Sequence, residues 1–449
     1  MLTFQDFQEN RDVIAFIERA LAEHAADPRV RMAQIADEYD RQKNTTVMNY
    51  SKMLYEMDGQ ALEDRTASTN RIASNFFHRL NTQRNTYLLG NGVFFQDKKT
   101  KELLGDSFDT VMKRIGYNAL KHGVSYGIWN NDRLYNFTIH EFMGFPDENT
   151  SAIRAGIRFW RLAPNKPRCV TLYEEDGYTE FADNGDKQLV QIAEKRAYRE
   201  RIAHTELGGD EIIGYDNYSA LPIIPMYGSY LQQSTLVGMR AKIDAYDLIA
   251  SGFANDLDDC AEIYWLLGNA GGMDDADMAR FRDRLKLQHI AKVDRDQTVT
   301  PYTQEIPYTA RKEFLDIIRA GIYEDFGGLD VHAVAAGATN DHIEAAYQPL
   351  DEEADDFEFQ CTDFIKQVLA LIGVEDEPTY KRNRISNQSE TVSMVMQAAT
   401  YLDAETVLKK LPFVTVDEVQ DILNRKDKED VDRFAGIQQQ SEEPGDMNG

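Results

Sequence analysis

The chain has 449 residues, 42% of them hydrophobic and 28% charged, which is apolar material for two or more structural units and more charge than one compact monomer needs. Its 76 acidic against 49 basic side chains leave a formal charge of −27. That argues against a protein gripping the phosphate backbone over a broad surface, because such a grip depends on Lys and Arg displacing counterions.

Three cysteines, Cys169, Cys260 and Cys361, form no CxxC pair and indicate neither a disulfide framework nor a zinc site. No apolar run approaches the roughly 20 residues of a membrane span, so a cytoplasmic protein is expected.

From residue 1 to about 85, charged helical stretches are expected, with Val13, Ile14, Phe16, Ile17, Ala20 and Leu21 spaced along one helix face. The pattern changes from Thr86 to Asp97, where apolar residues cluster around Gly90 and Gly92 as in a turn leading into a strand. Residues 106–122 return to helical spacing through Phe108, Val111, Met112, Ile115 and Leu120, and Gly123 closes that helix. Aromatic and β-branched runs broken by Asn, Asp, Gly and Pro make 124–227 a β-rich region. Its last run, Leu221 to Met226, carries Pro222 and Pro225 and reads as a sheet edge or an extended crossing, with a domain boundary just after it.

A long helix is expected over 236–267, with Ile243, Tyr246, Ala250, Phe253, Leu257, Cys260 and Tyr264 at steps of three and four. A turn at Gly268, Gly271 and Gly272, an amphipathic piece from Ala276 to Leu287 and a strand-like stretch ending at Pro307 follow. A second helix over 309–325 should bury Phe314, Ile317, Ile318 and Ile322 on one face and stop at Gly327-Gly328. The next stretch, from Leu329 to Tyr347, has small residues and no decisive period and reads as a loop. Pro349 then opens a helix with an acidic first turn, Asp351, Glu352 and Glu353, which runs to about Gly373 through Phe357, Phe364, Ile365, Val368, Leu369 and Ile372. A short strand at 379–386, helical segments on both sides of Leu411-Pro412-Phe413 and a polar, disordered tail from about 426 complete the expectation.

No GxxxxGK[ST] loop occurs, so any ATP-driven motor must be another protein. His140-Glu141 lacks the second histidine of the zinc-helix motif and reads as structural; neither a metal nor a cofactor is expected. Gly90-Asn91-Gly92 is a turn, not a dinucleotide fingerprint. Asp256, Asp258 and Asp259 could interest a divalent cation, but only Asp256 and Asp259 share a helix face, and solvated surface accounts for all three.

The segment ALPIIPMYGSYLQQSTLVGMRAKIDAYDLIASGFANDLDDCAEIYWLLG resembles the portal proteins of long-tailed bacteriophages. Leu221 to Pro225, Ser234, Ile243 to Tyr246, Ser251 and Asn255-Asp256 stand where that family has its "iPii" run, a small polar residue and an "IDAY…S…ND" helix. The segment RNRISNQSETVSMVMQAATYLDAETVLKKLPFVTVDEVQDI is similar to the family's C-terminal strand, helix and turn, with Asp417-Glu418 in place of its final acid pair. The ordered matches span about 86–425, and the first 85 residues carry no motif that aligns.

The resemblance implies an α+β portal fold in a ring of twelve copies. Its parts would be a wing (1–235), a stem helix (236–260), a clip (261–307), a second stem helix (308–325), a tunnel loop (326–346), a long channel helix (347–373), a crown (374–425) and a tail (426–449). It implies a conduit for double-stranded DNA at one capsid vertex, not an enzyme, placed in the virion after assembly in the host cytoplasm. The implied partners are major capsid and scaffold proteins, the terminase large subunit and the neck or head–tail adaptor. Stem packing would fall to Ile243, Tyr246, Phe253, Phe314, Ile317 and Ile318. The DNA-facing loop would use Gly327, Gly328, His332, Gly337, Asn340 and His342, and the motor- or adaptor-binding clip Arg280, Arg282, Arg284, Lys286 and Lys292.

Two rival readings are a capsid or adaptor ring protein without channel helices and a metal-dependent packaging nuclease. An insert between two amphipathic helices argues against the first, and a DNA-cleavage assay with Mg²⁺ or Mn²⁺ tests the second.

Overall fold

The structure, a computed structural model, describes residues 2–55, 60–63, 68–204, 210–260, 264–268, 274, 276–278, 280–281, 298–302, 307–331, 340–384, 388–411, 414, 419, 421–426 and 428. It is mixed α and β. Helices α1 (Phe4–Glu9), α2 (Val13–Ala26), α3 (Pro28–Asp40) and α4 (Thr45–Met48) lead through strands β1 (Met53–Tyr55) and β2 (Ala61–Glu63) to α5 (Phe76–Leu89). Then come β3 (Val93–Phe94), α6 (Lys98–Leu104) and α7 (Phe108–His122).

The β-rich region holds β4 (Val124–Asn130), β5 (Arg133–Thr138), β6 (Phe142–Pro146), β7 (Ile153–Arg161) and β8 (Arg168–Glu174). It continues with β9 (Gly177–Asp183), β10 (Leu189–Gln191), β11 (Arg199–His204), β12 (Asp210–Asp216) and β13 (Ile223–Tyr227). Beyond it lie α8 (Leu236–Cys260), β14 (Tyr264–Gly268), β15 (Thr298–Tyr302), α9 (Tyr308–Phe326) and α10 (Asn340–Ile372). The last elements are β16 (Thr379–Tyr380), α11 (Gln388–Ala398) and α12 (Ala404–Lys410). The chain forms two compact units, Met1–Gly328 with Glu353–Lys381, and Leu329–Glu352 with Arg382–Gly449.

In the larger unit, Gly123 takes φ +90° and lets the chain pass directly from α7 into β4, as its position after the last apolar helix residue predicts. Strands β4 and β5 are joined by Asn131 and Asp132, both at positive φ, the two-residue turn that matches strand twist. The proline-bearing β13 lies at the edge of the sheet β13-β4-β5, where the missing N–H of Pro225 breaks no inner ladder. Strands β6 to β10 make an antiparallel meander. Helix α2 buries Phe16, Ile17 and Ala20 in the same cluster as Phe145, Ile157 and Val170 of that meander. Val13 and Ile14 stay more than a third exposed, so the apolar stripe is narrower than its spacing suggests.

The principal core joins α7 to the second half of α10. Phe357, Cys361, Phe364, Ile365, Val368 and Leu369 are at most 1% exposed and share a cluster with Phe108, Met112, Ile115, Ala119 and Leu120. Their steps of four, three and one keep them on one helix face, and each full burial is worth about 1.5–3 kcal/mol. The packing is tight enough to require glycine on β4, because a Cβ at Gly127 would lie 2.4 Å from Phe364 Cζ.

Four expectations need correction. Residues 86–89 finish helix α5 instead of opening a turn, since Leu88 and Leu89 are buried in the core. The helix expected to reach 267 ends at Cys260, and Tyr264–Gly268 pairs with Thr298–Tyr302. The aromatic-aliphatic run YWLLG suits a pleated ladder, and Tyr264 met the helical period by coincidence. Pro349 does not open a helix but sits inside α10, which begins nine residues earlier at Asn340. A helix-interior proline costs about 3 kcal/mol, and here Tyr347 and Leu350 on either side of it are buried. Finally, the strand at 379–386 contracts to Thr379–Tyr380, paired with β3.

Helices α11 and α12 precede Leu411 and helical residues 421–426 follow it, as expected. The tail beyond 428 lies outside the described residues. Among the described residues, Cys169 and Cys361 are free thiols.

Candidate functional site: two antiparallel helices and their straps

Helices α8 and α9 form an antiparallel pair fixed by charge at both ends. Lys242, near the start of α8, lies 2.5 Å from Asp325 near the end of α9 and donates to Gly321 O at 3.2 Å. At the other end Asp256 pairs with Arg311, whose guanidinium lies 5.8 Å from the Phe253 ring centroid, and Phe253 is 5.9 Å from Tyr308. Asp256 is thus a pairing residue on the helix.

A second face of α8 carries polar groups one turn apart, and segment 70–74 runs along it in the opposite direction. The Ser74 amide donates to Asp247 Oδ1 at 2.9 Å, the Ile72 amide to Ser251 Oγ at 2.9 Å, and the Asn70 amide to Asn255 Oδ1 at 2.7 Å. The Asn70 side-chain amide then reaches Asp258, and the Asn44 side-chain amide donates to Asp247. Burial raises the Asp247 pKa against the pull of its bonds from Asn44 and Ser74. Below these rungs Asp244 accepts from Tyr39 Oη and, at 2.8 Å, from Thr46 Oγ1. Asp244, Ser251 and Asn255, prominent in the sequence pattern, therefore position the helix. Asp247, held by Asn44 and Ser74, and the amides of Ile72 and Asn70 that reach Ser251 and Asn255 belong to no sequence motif, because backbone amides in an irregular segment leave no side-chain signature.

The predicted packing residues divide. Ile243 is buried, Tyr246 and Phe253 are partly buried, and Ile318 packs beside Ile322 at the lower end of the pair. Phe314 is 45% exposed and Ile317 68% exposed, which corrects the expectation that one face of α9 buries all four of its apolar residues within the chain. Leu257 is likewise 53% exposed.

Helix α9 stops at Gly327, which takes φ +63°, while Gly328 N–H closes on Tyr323 O. Arg84, 4% exposed, donates to Phe326 O at that helix end, lies 4.1 Å over the Phe326 ring and pairs with Glu353 of α10 at 3.0 Å. Burial lowers the Arg84 pKa against the fields of Glu353 and Asp356. Asp351 pairs with Arg382 at 2.8 Å and with Arg384 at 2.5 Å. Asp351 and Glu353, expected in a first turn, thus serve specific cations in mid-helix.

His332 and Gly337 lie outside the described residues, whereas Asn340 and His342 belong to α10, so the expected loop over 326–346 ends before residue 340. Of the clip cations, Arg280 is exposed, helical and 3.6 Å from Asp277; Arg282, Arg284, Lys286 and Lys292 lie outside the described residues.

One further constellation came from no linear motif. Asp37 on α3, His122 ending α7 and His140 in the β5–β6 turn converge, with His122 Nε2 and His140 Nε2 each 2.9 Å from an Asp37 oxygen. Burial alone would raise the Asp37 pKa, but the close approach of His122, His140 and Lys121 holds the carboxyl far below the usual carboxylate range.

The sequence profile of the family described as phage portal protein, SPP1 Gp6-like, matches residues 23–432. The portal protein of Clostridium phage phiCD119 is 24% identical over 394 residues, covering 78% of this chain and 83% of that protein. The portal protein of Bacillus phage SPP1 is 24% identical over 437 residues, covering 89% of this chain and 83% of that protein.

Proposed function

The chain belongs to the SPP1 Gp6-like phage portal proteins, structural channel proteins and not enzymes, and from that premise we propose how its elements divide the work. Twelve copies close into a ring at one vertex of the capsid, assembled in the host cytoplasm with scaffold and major capsid proteins. Helices α8 and α9 form the stem around the DNA path. The segment between them, 261–307, is the clip that meets the terminase and later the neck adaptor through Arg280, Arg282, Arg284, Lys286 and Lys292. Residues 327–339 form the tunnel loop.

The observation that carries this reading is the unequal burial of the helix pair. Its polar groups are largely matched within the chain, while Leu257, Phe314 and Ile317 remain exposed. Large apolar side chains left over on such helices are satisfied when identical copies pack side by side. Exposed Glu313, Asp316 and Glu324 on α9, in a chain of net charge −27, suit a wall along which DNA slides without adhering.

Electron microscopy of the purified protein tests the reading. The expected particle is a many-fold ring with a central hole, and Phe314→Ala or Ile318→Ala should reduce the yield of closed rings. Particles without a hole, or rings unaffected by both substitutions, would overturn the stem assignment.

A further inference from the structure

We propose that Asp37, His122 and His140 form a structural site for a divalent transition-metal cation, zinc being the species that suits the ligands best. This goes beyond the portal reading and does not rest on it. The three residues come from separate elements, so a bound ion would tie α3, the α7–β4 junction and the β5–β6 turn together.

The geometry is close to that of a metal centre. His122 Nε2 is 2.9 Å from Asp37 Oδ1, His140 Nε2 is 2.9 Å from Asp37 Oδ2, and all three ligand atoms lie within 4.8 Å of one another. Ligand atoms of a tetrahedral zinc, at roughly 2.0–2.2 Å from the ion, stand about 3.3 Å apart, so the cluster can take an ion with small side-chain shifts. The imidazoles face each other edge on, with centroids 4.9 Å apart. Two imidazole nitrogens and one carboxylate oxygen are the donors of a borderline ion; Mg²⁺ and Ca²⁺ prefer an all-oxygen shell.

Burial supplies the second argument. His122 is 4% exposed, and His140 Nε2 is inaccessible to solvent while standing 2.9 Å from Asp37 Oδ2.

Two neighbours bear on the site. Lys121 Nζ, 2.8 Å from Asp37 Oδ1, competes with a cation there, and Asp40, 3.4 Å from the same ammonium, can take it over. His122 Nδ1 has no hydrogen-bond partner among the described residues. A cavity of about 60 Å³ lined in part by His122, Ser151 and Gln232 adjoins this histidine.

The test uses the full-length chain after chelator treatment, titrated with ZnCl₂ by calorimetry, with bound metal counted by elemental mass spectrometry and Co²⁺ absorption reporting coordination. Expected are one ion per subunit, a tetrahedral Co²⁺ spectrum and a melting temperature that rises with zinc until the site saturates. His140→Ala, at the most exposed of the two histidines, should weaken binding by more than the roughly 10–100-fold that loss of a supporting group costs, and should abolish the thermal response. His78→Ala, which alters a neighbouring histidine outside the cluster, should leave both intact. Asp37→Asn provides a second ligand variant should His140→Ala disturb the fold. Absence of stoichiometric binding to the parent chain, or binding unchanged in the folded ligand variants, would overturn the proposal and leave the three residues as a polar network around Lys121.

Discussion

The α7–α10 core and the α8–α9 pair are both helical packings, but they are finished differently. In the first, six side chains of α10 are essentially inaccessible and a glycine on β4 is needed to admit the Phe364 ring. In the second, ion pairs and a backbone strap do much of the holding, while Leu257, Phe314 and Ile317 face outward. The first region is complete within one chain, and its stability is a property of the monomer. The second has its polar account settled and its apolar one open, which is how a surface destined for a copy of itself differs from a core.

Substitutions can break that contrast, beginning with the largest expected effect. Phe364→Ala should cost about 3–5 kcal/mol in denaturant unfolding, because the cavity it leaves is walled by helix and sheet. A loss below about 1 kcal/mol would show that this core is no tighter than the stem. Arg84→Ala should cost about 1.5–3 kcal/mol. It strips Phe326 O and Glu353 of a charged donor, while the part-exposed Glu353 recovers water, keeping the loss below that of a wholly buried pair. Ser251→Ala removes the acceptor of one strap rung. It should cost about 1 kcal/mol, seen as roughly fivefold faster hydrogen exchange at the Ile72 amide with little change at core amides. Exchange accelerating equally throughout would mean that the strap does not open locally. Ile317→Ser should change unfolding of the isolated chain by no more than about 0.5 kcal/mol yet reduce ring yield, and a large monomer effect would place Ile317 inside the chain's own core.

Much of the architecture was legible because it obeys simple periods. The stripe through Phe357, Phe364, Ile365, Val368 and Leu369, the glycine stop at 123 and Pro225 of β13 each name their structure through one local rule. The misreadings arise where tertiary contacts, which no local signal encodes, decide the outcome. Pro349 signals a helix start, but neighbours buried on both sides carry α10 through it. Phe314 and Ile317 follow the helical period faithfully, yet periodicity cannot say whether the covering partner is the same chain or another copy. Asp37, His122 and His140 stand 85 and 18 residues apart, and no spacing rule brings α3, α7 and a strand turn to one point.

The strap also sets a limit on itself through pitch. Alternate residues 70, 72 and 74 advance about 6.6 Å per pair if extended, whereas residues four apart on a helix advance about 6.0 Å. The two rulers agree closely enough for Asp247, Ser251 and Asn255 to meet successive amides, but they drift by about 0.6 Å per rung. Like a vernier scale, such a pairing coincides over a short span only. The contact to Asp258 is made by the pliable side chain of Asn70, which can absorb such a drift where a backbone amide cannot.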